Sequence, residues 1–335
     1  MTLISILLPA RDAEATLEEA LDSIAAQTHR EWELIAVDDG SQDATPAILE
    51  RWARRDARIR ILRHAEAQGI VAALNLALAA ARGPVMARMD ADDISLPARL
   101  ERQLALLAAG AGEVLGCQVH YFPDEIVAEG ARRYEAWLNS LVTPEEHARD
   151  LFIECPLAHP TFMLPHALLE AAGGYRSRGW PEDYDLLLRL WRRGARLAKV
   201  PEPLFLWREA PGRTSRTHPD YRADAFRRCK AHHLRHSYLA GDHPALVWGA
   251  GPFGKLLARE LLALGTPLRG FVDLSPRRIG QVIYGARVLS QPEAFQLRGQ
   301  AFGIAAVGQS GARDEIRAAM AAAGWIETID FCCAA

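Results

Sequence analysis

Apolar segments of strand length alternate with segments of helical periodicity over the first 120 residues. The apolar runs are 3–10, 32–39, 58–64 and 84–90, and the segments with helical spacing are 13–27, 43–55, 69–83 and 97–110. This alternation predicts a mostly parallel sheet covered by helices on both faces. Ligands of such sheets bind beyond the carboxyl ends of the strands.

The alternation weakens after residue 120 and restarts near residue 243. We therefore predict an α/β domain over 1–215, with halves 1–115 and 116–215, and a smaller α/β domain over 243–335. A basic, His-rich helical connector, 216–242, joins them. The connector is either a solvent-facing helix, which we favour, or a surface for anionic lipid.

Composition and charge argue against several classes of protein and of binding site. The 335 residues carry a net charge of −3, which gives no nucleic-acid signature. The five cysteines lack C-x-x-C spacing, so we expect neither a zinc site nor disulfides, and a cytoplasmic location. The amino terminus lacks signal-peptide features, and no apolar run reaches membrane-spanning length. Membrane contact would then be peripheral.

Two acidic clusters follow predicted strands. Asp38 and Asp39 end the second strand, and Asp90, Asp92 and Asp93 end the fourth. Both clusters should meet at one edge of the sheet. A D-x-D offers hard oxygen ligands for Mg²⁺ or Mn²⁺. The alternative is a polar turn, where Asp is also common.

Four stretches together resemble family 2 glycosyltransferases of the GT-A fold. They are LLPARDAEATLEEALDSIAAQT, VDDGSQDAT, RMDADDISLPARLERQ and GGYRSRGWPEDYDLLLRLWRRG, and the resemblance covers residues 2–215. It implies inverting transfer of a sugar from a UDP-sugar to an acceptor hydroxyl, with Mn²⁺ or Mg²⁺. GIVAALNLALAAARG and RMDADDIS resemble a subgroup that acts in bacterial surface polysaccharide assembly. The implied acceptor is a saccharide or a lipid-linked saccharide.

The resemblance assigns roles at the donor side. Asp92 would bind the metal directly, and Asp90 would bind it through water or contact the donor ribose and sugar. Asp39 would accept the uracil N3–H, unless the pair with Asp38 is only a strand-end turn. Asp93 would cap a helix.

Further donor contacts are implied by the flanking loops. Pro9 would lie beside the nucleotide, and Asp12 replaces the family's usual Asn as a cap of the first helix. Arg88 would pair with a phosphate or with Asp90. Arg208 matches an arginine that meets the diphosphate.

The catalytic base is expected in the Glu-Asp pair of GWPEDYD. A carboxylate near the acceptor hydroxyl can take its proton, and the resemblance points to Asp183. Glu182 would orient the acceptor or tune Asp183, and Trp180 would stack on an acceptor sugar unless it is a core residue. His159 would line the acceptor or metal side of the cleft, although a lone His is more often structural. Asp185 would be structural.

A G-x-G-x-x-G lies between a strand and a helix in the last domain. Its glycines are Gly249, Gly251 and Gly254, and Asp273 ends the next strand. This context resembles small Rossmann-like domains that bind nucleotide sugars or nicotinamide dinucleotides. The expected ligand is a nucleotide or NAD. An equally weighted alternative is a degenerate fold used for packing.

Three other functions compete with glycosyl transfer. A nucleotidyltransferase needs a Gly-rich phosphate loop near the first strand, which the sequence lacks. A non-catalytic nucleotide-sugar sensor or scaffold would bind without turnover. A dinucleotide oxidoreductase would work through the last domain. We favour the metal-dependent glycosyltransferase.

Overall fold

The computed structural model describes residues 2–210, 212–309 and 311–335. The chain forms two compact units. The first contains the described residues of 2–147, 156–178 and 182–217, and the second those of 148–155, 179–181 and 218–335. The domain bounds that we predict from the sequence remain a prediction.

The strands, in chain order, are β1 (Ile4–Ala10), β2 (Trp32–Asp39), β3 (Ile59–His64), β4 (Val85–Arg88), β5 (Ile94–Ser95), β6 (Val114–Phe122), β7 (Met163–Pro165), β8 (Leu197–Arg208), β9 (Ala245–Trp248), β10 (Leu268–Val272), β11 (Val282–Ile283), β12 (Ala286–Leu289), β13 (Phe302–Ala305) and β14 (Phe331–Cys333).

The α-helices are α1 (Leu17–Ala25), α2 (Thr45–Arg55), α3 (Ile70–Ala80), α4 (Arg99–Ala108), α5 (Glu129–Ser140), α6 (Pro144–Asp150), α7 (His166–Ala171), α8 (Glu182–Arg192), α9 (Thr214–Thr217), α10 (Ala223–Arg235), α11 (Pro252–Ala263), α12 (Gln291–Phe295) and α13 (Ala312–Ala322). Short 3-10 turns lie at Asp124–Ile126, His159–Thr161, Pro219–Tyr221 and Ala240–Asp242.

The first unit is built on a mixed sheet with the strand order β3-β2-β1-β4-β7-β6-β8-β5 within the described residues. β1 pairs in parallel with β2 on one side and β4 on the other. Leu7 of β1 lies opposite Arg88, and Ala10 lies opposite Asp38. The parallel strands bring both acidic clusters to one edge, as predicted. β7 pairs antiparallel with β4 and β6.

Burial on both faces explains why the strands of this unit read as continuous apolar runs. Every residue of β2 is buried. The helices bury one stripe each: in α1 it comprises Leu17, Ala20, Leu21 and Ile24. These residues recur at three- and four-residue intervals and join the core cluster of β1 and β2. The sequence pattern and the packing therefore agree in this unit.

The second unit has its own sheet, ordered β11-β12-β10-β9-β13-β14 within the described residues. β9 pairs in parallel with β10 and with β13. The chain thus moves from β9 to one side and later returns to the other. Such a reversal leaves a crevice beyond the carboxyl ends of these strands.

α10, inside the predicted connector, belongs to the packing of the second unit. Ala225, Cys229 and Leu234 are buried, and the Lys230 ammonium donates to the carbonyl oxygen of Ile153 at 2.6 Å. One face of the helix therefore packs inward, and the expectations of a solvent-facing surface and of a lipid-binding surface stay predictions. Among the described helices, none has both the length and the apolar character needed to cross a bilayer.

Candidate functional site

The acidic group Asp90, Asp92 and Asp93 lies in the loop between β4 and β5. One carboxylate oxygen from each residue lies within 4.8 Å of the other two. Burial, and then the charge of Asp90, raises the pKa of Asp92 to about 6. Burial, and then the charges of Asp92 and Asp90, hold the pKa of Asp93 well above its usual range. Oxygen ligands that repel one another in this way fit a hard divalent cation such as Mg²⁺ or Mn²⁺.

Arg88 is a counter-ion inside this group. Its buried guanidinium forms an ion pair with Asp90, so the structure shows one of the two partners expected from the sequence. Arg99 fixes the backbone next to the acidic group. It donates to the carbonyl oxygens of Arg88 at 2.9 Å and Pro160 at 2.8 Å. Buried charges need such partners. A contact of Arg88 with a donor phosphate stays a prediction.

Asp93 does not cap a helix, contrary to the expectation, because α4 begins only at Arg99. Its Oδ1 instead accepts the backbone N–H of Arg208 at 2.7 Å. The Arg208 Nε donates to the carbonyl oxygen of Asp92 at 2.6 Å, and its Nη2 pairs with Glu19. Arg208 therefore ties the end of β8 to the acidic group. Its predicted contact with the diphosphate is untested.

Asp39, at the end of β2, is buried and surrounded by donors. Its Oδ1 accepts the His64 Nδ1–H at 2.6 Å and the Gln68 N–H at 2.9 Å, and its Oδ2 accepts the Gly69 N–H at 2.8 Å. Burial alone would raise the pKa of this carboxyl, but these hydrogen bonds outweigh burial and bring the pKa below its ordinary value. Asp39 is thus held as an ionised acceptor. Asp38 accepts the Ser41 N–H at 3.1 Å, which orients the same loop.

Asp12 does not cap α1, contrary to the expectation, because that helix begins at Leu17 with Thr16 at its N-cap. Asp12 instead joins the loop after β1 to the loop after β2. Its Oδ1 accepts the Gln42 N–H at 2.8 Å. Pro9 lies in β1, next to this loop, and its predicted contact with the nucleotide is untested.

The Glu-Asp pair opens α8. Three acids occupy its first turn, Glu182, Asp183 and Asp185. Glu182 and Asp185 are buried, and Asp185 is ion-paired with Arg189 at 2.7 Å. Asp183 is the one of the three that is partly exposed. Its Oδ1 accepts the Tyr184 N–H at 2.7 Å, which fixes the carboxylate at the helix start.

A buried ring pair lies behind these acids. The His159 Nε2 is 3.2 Å from the Tyr175 hydroxyl, and its Nδ1 is 3.7 Å from Glu182. Burial, and then the charge of Arg88, holds the pKa of His159 well below its usual range, so the ring is neutral. His159 is buried, which favours positioning of Glu182 over direct acceptor contact. Its acceptor role stays a prediction.

Tyr175, not singled out from the sequence, connects the two acidic regions. Burial raises its pKa, Arg88 opposes this, and the charges of Glu182, Asp183 and Asp90 raise it further. The acids of α8 and the acidic group after β4 therefore act on one buried phenol. Its backbone is fixed by Asn75, whose side chain bonds both its N–H and its carbonyl oxygen at 3.0 Å.

Arg213 is a second residue that sequence reasoning missed. Its guanidinium lies over the ring of Trp207 at 4.5 Å and that of Tyr121 at 5.5 Å. Its positive charge lowers the pKa of both Asp92 and Asp93, so it faces the acidic group. The sequence signal for it is the second arginine of WREAPGR, five residues after Arg208.

The other predicted residues lie in the second unit. The Trp180 ring is 5.3 Å from that of His232, and its contact with an acceptor sugar stays a prediction. Gly249 and Gly251 lie in the turn between β9 and α11, and Gly254 lies in the first turn of that helix. Asp273 follows β10, and its Oδ2 accepts the Ala250 N–H of that turn at 3.2 Å.

Comparison with known proteins identifies the family. The sequence model described as glycosyl transferase family 2 matches residues 5–170. The putative glycosyltransferase EpsE of Bacillus subtilis is 31% identical over 298 residues, which cover 87% of this chain and 96% of EpsE. The chain belongs to glycosyl transferase family 2. It is a glycosyltransferase of mixed α/β fold, as the sequence motifs predicted.

Two further relatives extend the comparison. The Escherichia coli UDP-Glc:alpha-D-GlcNAc-diphosphoundecaprenol beta-1,3-glucosyltransferase WfgD is 36% identical over 105 residues, which cover 31% of this chain and 41% of WfgD. The crystal structure of S. aureus TarS 1–349 in complex with UDP-GlcNAc superposes with a TM-score of 0.58 at 20% identity, over 78% of this chain and 72% of that chain. This similarity of structure confirms the glycosyltransferase fold.

Proposed function

We propose that this glycosyltransferase moves a sugar from a UDP-sugar to an acceptor hydroxyl, with inversion at the anomeric carbon and with a divalent cation. One observation carries the proposal. Arg99 donates to the carbonyl oxygen of Arg88, which is ion-paired with Asp90, and to that of Pro160, which follows His159; the His159 ring lies 3.7 Å from Glu182. This chain of contacts supports a cation site for a diphosphate close to a carboxylate for proton removal, which the reaction requires.

Asp92 and Asp90 would hold the cation, because their oxygens lie together and burial makes Asp92 costly to ionise alone. When bound, the cation would supply positive charge to the diphosphate. Arg213 would add a second positive charge at the same place. Its guanidinium stacks on Trp207 and its charge lowers the pKa of Asp92 and of Asp93, and arginine binds phosphate oxygens well.

Asp39 would recognise the base. Its carboxylate is kept ionised by His64 and two backbone N–H groups. Oδ2 accepts one described bond and has room for another, which a uracil N3–H can supply. The same side chain therefore fits the predicted preference for UDP. This role is a proposal that rests on the position of Asp39 at the carboxyl end of β2.

Asp183 would be the general base. The acceptor oxygen attacks the anomeric carbon while Asp183 takes its proton. The bond from that carbon to the β-phosphate oxygen breaks, and UDP leaves with the electron pair. Attack opposite the leaving group inverts the anomeric centre. Asp183 is suited to this because Glu182 and Asp185 are buried while it is partly exposed.

The substrates are proposed from the relatives. TarS binds UDP-GlcNAc in its crystal, and WfgD by its name uses UDP-Glc and a saccharide on diphosphoundecaprenol. We propose a UDP-sugar donor and a saccharide or lipid-linked saccharide of a bacterial surface polysaccharide as the acceptor. A cytoplasmic location is proposed as well, because the spacing of the five cysteines does not suggest a disulfide framework. Contact with the membrane surface would follow from a lipid-linked acceptor.

The test is release of UDP from UDP-glucose or UDP-GlcNAc in the presence of Mn²⁺ and GlcNAc-diphosphoundecaprenol. The Asp183→Asn variant should lower the rate by about 10²- to 10⁴-fold and leave UDP affinity unchanged. Asp314→Asn is the matched control, since Asp314 also lies in the first turn of a helix, α13, and is exposed. A rate for Asp183→Asn near that of Asp314→Asn would remove Asp183 as the base. The anomeric configuration of the product tests inversion.

A further inference from the structure

The second unit contains a cavity of about 420 Å³ at the carboxyl ends of β9, β10 and β13. Its walls include the turns that lead from β9 into α11 and from β13 into α13, with Asp273 and Arg278 after β10. β9 has β10 on one side and β13 on the other. The cavity therefore occupies the switch point where open α/β sheets bind ligands.

The three glycines of the G-x-G-x-x-G differ in what requires them. A Cβ at Gly249 would lie 2.6 Å from Val307, and its φ is +106°. A Cβ at Gly254 would overlap the carbonyl oxygen of Gly249. Packing within the fold thus accounts for both of these glycines.

Gly251 is different. Its φ of −80° and ψ of −177° suit any residue, and a Cβ there would meet nothing within 4 Å. The fold itself does not require glycine at this position. Gly251 lines the cavity, so the missing side chain leaves the backbone open to whatever enters it. Close approach of a diphosphate to backbone N–H groups explains a glycine of this kind.

The polar groups around the cavity are arranged for such a ligand. α11 and α13, of 12 and 11 residues, both begin at its wall, so two helix N-termini face it. Arg278 adds a cation on the rim and is ion-paired with Asp273 at 2.9 Å. Trp248, which also lines the cavity, has a buried indole N–H with no acceptor among the described residues.

We propose that this cavity binds a ligand with a nucleoside diphosphate group, its diphosphate at Gly251 and its ribose hydroxyls at Asp273. Asp273 is suited to the ribose because it is fixed by the Ala250 and Ser275 N–H groups and ends β10. The ligand is a nucleotide sugar or a dinucleotide, which share this group. The site is separate from the acidic group after β4 and goes beyond glycosyl transfer.

The described residues that line the cavity offer few side chains of the types common in catalysis. Among the described residues that line it, none is Ser, Thr, Tyr, His, Lys or Cys. Those types supply most nucleophiles and proton donors in enzymes, apart from carboxylates. Asp273, one of the two carboxylates present, is already ion-paired with Arg278. A bound nucleotide would therefore act as a signal or as a stabilising ligand.

The experiment uses the full chain with Asp92→Ala and with EDTA, so that the metal-dependent donor site contributes nothing. UDP-GlcNAc, NAD⁺ and ADP are titrated into it by calorimetry. At least one should bind, and adding Gly251→Ala should weaken it by about tenfold or more. Gly130→Ala is the matched control, because a Cβ there also meets nothing and its φ is not positive.

The relative affinities of the three probes distinguish a nucleotide sugar from a dinucleotide as the ligand. Tighter binding of UDP-GlcNAc indicates a nucleotide sugar, and tighter binding of NAD⁺ indicates a dinucleotide. Absence of binding by all three would overturn the proposal, as would equal affinity of the Gly251→Ala and Gly130→Ala proteins. Neither result bears on the proposed glycosyl transfer, which depends on Asp92 and Asp183.

Discussion

The His64 Nδ1–H donates to the Asp39 carboxylate over 2.6 Å, at the carboxyl ends of adjacent strands β3 and β2. The backbone N–H groups of Gln68 and Gly69 complete the set of donors. A carboxylate that receives three such bonds is both ionised and fixed in direction. The proposed uracil acceptor is therefore part of the folded framework and not a flexible loop residue.

Asp39→Asn should destabilise the protein as well as weaken UDP binding. An amide has one acceptor oxygen, so at least one of the three buried donors would lose its partner. The expected loss in free energy of unfolding is about 1–3 kcal/mol. Urea denaturation of both proteins measures it. An unchanged midpoint with an unchanged slope would mean that these bonds do not hold the loop.

Arg213→Gln should reduce UDP affinity by about tenfold and leave uridine affinity unchanged. The reason is that its guanidinium faces the acids that would bind the diphosphate, and uridine has no phosphate. Parallel titrations of the two ligands in Mn²⁺ test this. Arg132→Gln is the control, since Arg132 is exposed and pairs with Asp124. Equal losses for UDP and uridine would point to a structural effect only.

Glu33 should make the stability depend on acid pH. Its buried carboxylate in β2 accepts the Ser5 hydroxyl and the Arg82 N–H, both at 2.7 Å. Burial raises its pKa, but these bonds and the Arg82 guanidinium outweigh burial and bring it below 4.5. Because the folded-state pKa is below the unfolded value, the ionised group stabilises the fold above pH 4.5. That contribution is lost as the pH falls through the folded-state value.

Glu33→Gln should therefore lower the free energy of unfolding by about 1.5–3 kcal/mol at pH 7. The difference from the unmodified protein should shrink below pH 4.5, where Glu33 itself becomes protonated. Urea denaturation across this pH range gives the curve. A difference that is the same at every pH would show that the charge of Glu33 is irrelevant.

The pattern of apolar and polar residues predicted the elements of the fold whose formation depends on neighbouring residues. β2 was predicted over 32–39 and spans Trp32–Asp39, because a strand buried on both faces is apolar throughout. The meeting of the two acidic clusters followed from parallel pairing alone. Helix ends were less predictable, as Asp12 and Asp93 show: both could cap a helix, but each bonds a distant backbone N–H instead.

The contacts that shape the candidate site join residues far apart in sequence. His64 and Asp39 meet because β3 pairs with β2, and Tyr175 is placed by Asn75, a hundred residues earlier. Arg208 was expected at the diphosphate, yet Asp92 and Glu19 already engage its guanidinium. Such pairings depend on tertiary geometry, so no spacing rule in one sequence could find them.

Glycosyl transfer at this site depends on a divalent cation that Asp90 and Asp92 would bind and that would support UDP binding. The most direct measurement is calorimetric titration of UDP with Mn²⁺ and with EDTA, using Gly251→Ala protein with and without Asp92→Ala. Mn²⁺ should strengthen UDP binding by about tenfold or more when Asp92 is present and should have no effect when it is replaced. Equal UDP affinity in Mn²⁺ and EDTA with Asp92 present would contradict it.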